Sequence, residues 1–175
     1  MVDTIYLDFA KAFDTVPHRR LVGKMESYGI SGSVLEWVKD YLKGRTQTVL
    51  VNGEKSRTAP VISGIPQGTC LGPLLFVIYI NDLLDEIESD GFLFADDTKI
   101  FRKIVSTKDS EILQSDIDKL EIWSKRWLLK FHPNKCHVLS LGKMENILHS
   151  HRYSICDMEM EHVFQEKDLG VIHDF

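Results

Sequence analysis

The sequence predicts an α+β fold, with helices packed on one face of a mostly antiparallel sheet. Three observations carry that prediction. Strand-like and helix-like segments mix without regular alternation. Asn52-Gly53 and Asp96-Asp97 each mark a tight hairpin between β-rich runs. A long amphipathic segment follows Ser106. No internal repeat or low-complexity tract competes with this reading.

Residues 4–7 read as an opening strand that ends at Asp8. Behind Pro17 a helical pattern puts Leu21, Val22 and Met25 on one side, and Gly29 stops it. Ser31 is placed to cap a second helix carrying Val34, Leu35, Val38, Tyr41 and Leu42, which Gly44 ends. Residues 46–51 and 57–62 are β-rich and are joined through Asn52-Gly53. Residues 63–72 form a loop with Gly64, Pro66, Gly68 and Gly72, and Pro73 sits early in a long helix to about Glu88. Residues 92–95 and 98–101 are short strands flanking Asp96-Asp97. Ser106 and Asp109 are spaced as a capping box. In the helix behind them, Leu113, Ile117, Leu120, Trp123 and Trp127 recur at intervals of three and four. Pro133-Asn134 turns the chain into a strand over 136–141, 142–151 is loop-like, and 169–172 reads as a last strand. Neither end has a tail or linker, so the expectation is one domain over 1–175, truncated at both ends.

A length of 175 residues suits a single hydrophobic core, and 43% hydrophobic with 27% charged residues is ordinary for a soluble globular chain. The longest apolar run, 74–80, is far short of the ~20 residues of a membrane helix. Cys70, Cys136 and Cys156 are odd in number and far apart, which fits a reducing setting rather than a disulfide framework. The net charge of −5 argues against nucleic-acid binding, unless bound cations offset some of the carboxylates or a basic segment lies elsewhere.

The chemistry-bearing constellation is carboxylate. If the strands pair, Asp8, Asp96 and Asp97 crowd one spot, and like charges that close need a cation between them. Hard oxygen ligands in small number suit Mg²⁺. A lone Asp-Asp is more often a solvated turn. Trp123 and Trp127 have the spacing of core residues rather than of a base-stacking pair. Cys136, His137, His149, His151 and Cys156 are zinc-compatible in type but too irregular in spacing for a site. His18-Arg19-Arg20 either meets phosphate or is a solvated helix start.

The carboxylates do not stand alone. Leu7-Asp8-Phe9-Ala10-Lys11-Ala12-Phe13-Asp14-Thr15-Val16-Pro17-His18 resembles motif A of LINE-type (non-long-terminal-repeat) reverse transcriptases, nearest their jockey-like branch. Ser63-Gly64-Ile65-Pro66-Gln67-Gly68-Thr69-Cys70-Leu71-Gly72-Pro73-Leu74-Leu75-Phe76 resembles motif B, and Phe94-Ala95-Asp96-Asp97 is similar to motif C. Residues 127–141 resemble motif D, and Lys167-Asp168-Leu169-Gly170-Val171 the start of motif E. Order and intervals match over nearly the whole chain.

The resemblance implies a palm domain with partial fingers and no thumb, and RNA-directed DNA polymerisation by two Mg²⁺ ions, with Mn²⁺ as a substitute. Asp8, Asp96, Asp97 and the Phe9 carbonyl would be the metal ligands, and Lys135 the general acid for the leaving pyrophosphate. Phe9, Ala10, Lys11, Phe13, Gln67 and Gly68 would meet the nucleotide, with Phe13 as the ring that excludes a 2′-hydroxyl. Lys11 and Lys135 also read as solvated lysines, and Asp14 as structural. The implied partners are an RNA template, a DNA primer and deoxynucleoside triphosphates, in nucleus and cytoplasm. The alternative is an inactive retroelement relic that keeps only metal or nucleic-acid binding. Without the family's upstream fingers, the chain alone is expected to bind Mg²⁺ or Mn²⁺ weakly and to polymerise poorly or not at all.

Overall fold

A computed structural model describes residues 1–142 and 151–174, which form two compact units: Met1–Ala10 with Asp82–Phe175, and Lys11–Asn81. Most of the predicted loop at 142–151, and His149 within it, lies outside the described residues.

Strand β1 (Val2–Leu7) opens the first unit. The second unit begins with the single turn α1 (Ala12–Thr15) and continues through α2 (His18–Ser27) and α3 (Gly32–Leu42). Leu21, Met25, Leu35, Val38 and Leu42 are buried, each worth about 1.5–3 kcal/mol. Val34, expected on the buried side, is exposed. Ser31 has the extended backbone of a cap, but its side chain makes no capping bond. Lys24 is fully buried, where its ammonium donates to the Tyr79 carbonyl at 2.5 Å and lies over the Tyr79 ring.

The Asn52-Gly53 hairpin forms, with φ of 50° and 85°, but its ladder is broken into two pieces. Strands β2 (Thr46–Gln47), β3 (Leu50–Val51), β4 (Glu54–Lys55) and β5 (Ala59–Pro60) pair as β3 with β4 and β2 with β5. The two-residue turn fixes Val51 opposite Glu54, so the return strand starts well before the expected residue 57. The Ser56 hydroxyl takes the Val49 amide at 2.9 Å and interrupts the ladder. Helix α4 (Leu71–Ile80) is shorter than the expected run to Glu88. The residues beyond it are claimed by the first unit: Asp82 accepts from the Trp123 indole, and the Glu88 and Ser89 amides go to Asp116.

Strands β6 (Asp90–Phe94) and β7 (Asp97–Lys103) then form the second hairpin. Its turn is Ala95-Asp96, with Ala95 at φ 52°, so Asp97 opens a strand rather than sharing the tip as expected. Helix α5 (Thr107–Trp127) starts in the expected capping box, with Asp109 accepting from the Ser106 amide at 2.9 Å. It buries Leu113, Ile117 and Leu120 against the sheet side of the unit. A short 3₁₀ turn over Pro133–Lys135 leads into β8 (His137–Leu141).

After the undescribed stretch come β9 (Ser154–Ile155), β10 (Met158–Glu159) and β11 (Glu161–Val163). The final hairpin is β12 (Gln165–Asp168) and β13 (Val171–Asp174), so Leu169-Gly170 is a turn rather than the expected start of a strand. The five-stranded sheet runs β11-β8-β1-β7-β6 and is antiparallel except for the β11–β8 pair. β1 is therefore central, and Ile5, Leu7, Ile100, Val138 and Leu139 form the core around it. The mixed fold with an antiparallel-dominated sheet agrees with the sequence.

Candidate active site

The site grows from the end of the central strand. In β1, Leu7 stands opposite Thr98 and Tyr6 opposite His137, so Asp8 emerges between the start of β7 and the start of β8. Asp97 immediately precedes Thr98, which sets Asp8 and Asp97 beside each other at one end of these two strands. The backbone after β1 is then pinned. The His132 amide donates to the Asp8 carbonyl and the Ala10 amide to the Lys130 carbonyl, both at 2.8 Å. Phe9 bridges Phe131 between these two bonds. Antiparallel alternation then turns the Phe9 N–H and C=O to the opposite edge. Its ring is buried, stacked on Phe131 with centroids 4.5 Å apart.

The Lys135 ammonium sits 3.4 Å from both carboxylate oxygens of Asp8. Burial, then Asp96, then Asp8 raise the Asp97 carboxyl above its ordinary pKa, with smaller contributions from Asp168 and Glu166. Burial is the larger cause, and the neighbouring carboxylates add to it. Among the described residues, no group of three or more His, Cys, Asp or Glu side chains stands close enough to hold a metal ion. The donor set nonetheless fits a divalent cation in type: neighbouring hard carboxylate oxygens at a strand end.

The same end of the sheet borders a cavity of about 470 Å³ lined by Asp8, Asp97 and Lys135, by His137 and Asp168, which the sequence offers only as a zinc-compatible type and as part of motif E, and by Lys99 and Glu166, which it does not single out. Lys99 pairs with Asp168, and His137 with Glu166 at 2.6 Å, so the β12–β13 hairpin is tied to the main sheet by its charged side chains. Burial, then Asp168 and Glu166, push the Tyr6 phenol up to about 12. Strand periodicity does hold a signal for Lys99, which shares a face with Asp97 two residues earlier. Nothing local announces Glu166, and Asp168 stands out only as part of the motif E resemblance.

The other predicted residues lie in the second unit. Lys11 is exposed at φ 52° and starts α1, and the half-buried Phe13 ring stacks on Phe76 at 4.7 Å. Three contacts tie the 63–72 loop to α1. The Ser63 hydroxyl donates to the Asp14 carbonyl at 3.0 Å, the Ile65 amide to the Phe13 carbonyl at 2.8 Å, and the Gln67 amide to the Asp14 carboxylate at 2.9 Å. Asp14 is thus the residue that orients Gln67, in keeping with a structural reading. Gly68 has φ 74° and open space where a side chain would be.

Trp123 and Trp127 are half-buried, and Trp123 also packs on Phe9. Cys136 is buried, which raises its thiol to about 11. No helix among the described residues is long and apolar enough to cross a membrane.

Comparison with known proteins agrees with this geometry. Residues 4–166 match the family model described as reverse transcriptase (RNA-dependent DNA polymerase). The chain is 31% identical over 140 residues, 75% of its length, to the RNA-directed DNA polymerase from mobile element jockey of Drosophila melanogaster. It is 28% identical over 97% of its length to the jockey polymerase of Drosophila funebris. It is 30% identical over 96% to the retrovirus-related Pol polyprotein from the type-1 retrotransposable element R2 of Nasonia vitripennis. It spans 15%, 19% and 18% of those relatives. The chain belongs to the reverse transcriptase (RNA-dependent DNA polymerase) family, and its likeness is to the LINE-type, non-long-terminal-repeat members.

Proposed function

We propose that this chain is the palm of an RNA-directed DNA polymerase of a non-long-terminal-repeat retrotransposon, adding deoxynucleotides to a primer 3′-hydroxyl on an RNA template. The observation that carries this reading is the Leu7–Thr98 register, which sets Asp8 beside Asp97 inside the span matched to the family. Asp8, Asp97, Asp96 and the Phe9 carbonyl are the groups that would hold two Mg²⁺ ions, or Mn²⁺ in their place. Bound there, such ions supply activation of the 3′-hydroxyl and charge neutralisation at the leaving pyrophosphate.

The chain's own groups carry the rest. The bridge to Phe131 fixes Phe9-Ala10, and so fixes the direction of the Asp8 carboxylate. Lys135 is a cation at the mouth of the site, more than half exposed and 3.4 Å from Asp8; it is placed to give a proton to the departing pyrophosphate. In the second unit, Lys11 and the Gln67-Gly68 loop take the nucleotide-contacting roles. The Phe13 ring, braced by Phe76, bars a 2′-hydroxyl.

With protein in excess over an RNA template annealed to a labelled DNA primer, the expected outcome is slow, Mn²⁺-dependent addition of deoxynucleotides. Either Asp8→Asn or Asp97→Asn removes it. Extension that survives either substitution, or that proceeds without a divalent cation, contradicts the reading.

A further inference from the structure

The net charge of −5 is unevenly divided. The segment Lys11–Asn81 holds nine Lys and Arg against five Asp and Glu, a net of +4. The remaining residues hold twelve against twenty-one, a net of −9. The excess positive charge is concentrated further. Between α2 and α3 lies a groove of about 350 Å³ with Val22 and Leu42 as its apolar floor and His18, Arg19, Lys39 and Lys43 on its rim. Lys39 is held by Glu36 at 2.8 Å and Glu26 at 3.5 Å, so its charge is largely spent. Among the described residues no carboxylate pairs with Arg19 or Lys43.

The rim is anchored. The His18 ring meets the Gly64 carbonyl at 2.7 Å, and the Arg45 guanidinium reaches the same carbonyl at 3.5 Å. One backbone oxygen thus gathers the start of α2 and Arg45, three residues past the end of α3. From Lys43 and Arg45 the chain runs into the exposed β2–β5 hairpin, where Lys55 and Arg57 face the single acid Glu54. The cations of the groove rim thus continue along the chain into those of the hairpin.

We infer that this groove and hairpin form a track for the phosphodiester backbone of single-stranded RNA. The choice of RNA rests on the polymerase reading above, in which the template is RNA. Cations without carboxylate partners give up little on meeting phosphate, and each contact releases a condensed counterion. An apolar floor accommodates the sugar edges. This also answers the objection raised by the acidic net charge: the acid belongs to the unit with the carboxylate site, and the base to the unit with the track.

The test measures binding of a labelled, unstructured RNA strand to the full chain by fluorescence anisotropy, across a salt series, in EDTA and without nucleotides. Polymerase chemistry is silent under those conditions, so the reading of the carboxylate site can fail without touching this result. The double variant Arg19→Ala, Lys43→Ala is expected to bind about tenfold more weakly at low salt. Its salt slope should fall by about 1.4, the value for two single-strand phosphate contacts. The control Lys103→Ala, Lys108→Ala removes the same charge from two exposed positions of the other unit and should change affinity less than about twofold. Equal losses in both double variants would show a generic charge effect and overturn the track. Wild-type affinity in the Arg19 and Lys43 variant, or no binding by the parent chain, would overturn it as well.

Discussion

Gly64 and Gly68 sit four residues apart in one loop and answer to different constraints. At Gly64, with φ 85°, an added Cβ would stand 2.6 Å from the backbone oxygen of Asp14, which cannot move without unseating α1. At Gly68, with φ 74°, an added Cβ meets nothing. The left-handed backbone alone costs a non-glycine residue about 1–2 kcal/mol, whereas a backbone clash adds rearrangement of the order of 1–3 kcal/mol more. In urea unfolding of the full chain, Gly64→Ala is therefore expected to lose about 3 kcal/mol or more and Gly68→Ala about 1 kcal/mol. Equal losses would show that the clash is relieved locally. Both glycines were visible in the sequence as part of a motif, but their separate reasons were not, because only the fold brings Asp14 against Gly64. Asp8 and Asp97 were legible for the opposite reason: each closes or opens an apolar strand, and the strand pattern survives in the sequence. Glu166 is not legible, and Asp168 only as part of a motif, since both reach the cavity through a hairpin about seventy residues downstream of Asp97.

Helix α5 was the most readable element, with its capping box and its three- and four-residue spacing, yet its most consequential residue broke the pattern. Asp116 is a buried carboxylate in the apolar stripe, and it accepts from the Glu88 and Ser89 amides at 3.0 and 2.8 Å and from Lys119 at 2.9 Å. Burial works to raise the Asp116 pKa, but the donors outweigh it and the net shift is downward. The folded pKa thus lies below the unfolded one. The stabilisation is complete above the ordinary carboxylate range, near pH 4, and is lost as pH falls through the lowered value. Asp116→Ala is expected to cost about 2–4 kcal/mol at pH 7. In denaturation curves taken from pH 7 down to pH 3, the gap between parent and variant should narrow. A gap that stays constant with pH would contradict the clamp. The β2–β5 hairpin shows the converse case. Asn52-Gly53 announces its turn, while its strand limits differ from the β-rich runs because Ser56 intercepts a ladder bond, a side-chain event that β-propensity does not register.

At the level of the whole chain, sheet order decides what the carboxylates mean. Asp96-Asp97 on a two-stranded hairpin would be a solvated turn. With β1 in the centre of β11-β8-β1-β7-β6, Asp8 is delivered beside that hairpin from one side, and Lys135 from the β8 side. Sequence patterns supplied the strands and the family motifs, but not the strand order, which depends on long-range registers such as Leu7 with Thr98. The overall acidity, misleading as a single number, resolves into a basic segment and an acidic one once the chain is divided. The central claim, that the end of β1 and the start of β7 form a divalent-cation site, has a direct test in Mn²⁺ titration followed by electron paramagnetic resonance. The account predicts weak, saturable Mn²⁺ binding by the full chain, reduced about tenfold or more by either Asp8→Asn or Asp97→Asn. Mn²⁺ affinity unchanged in both variants would contradict it.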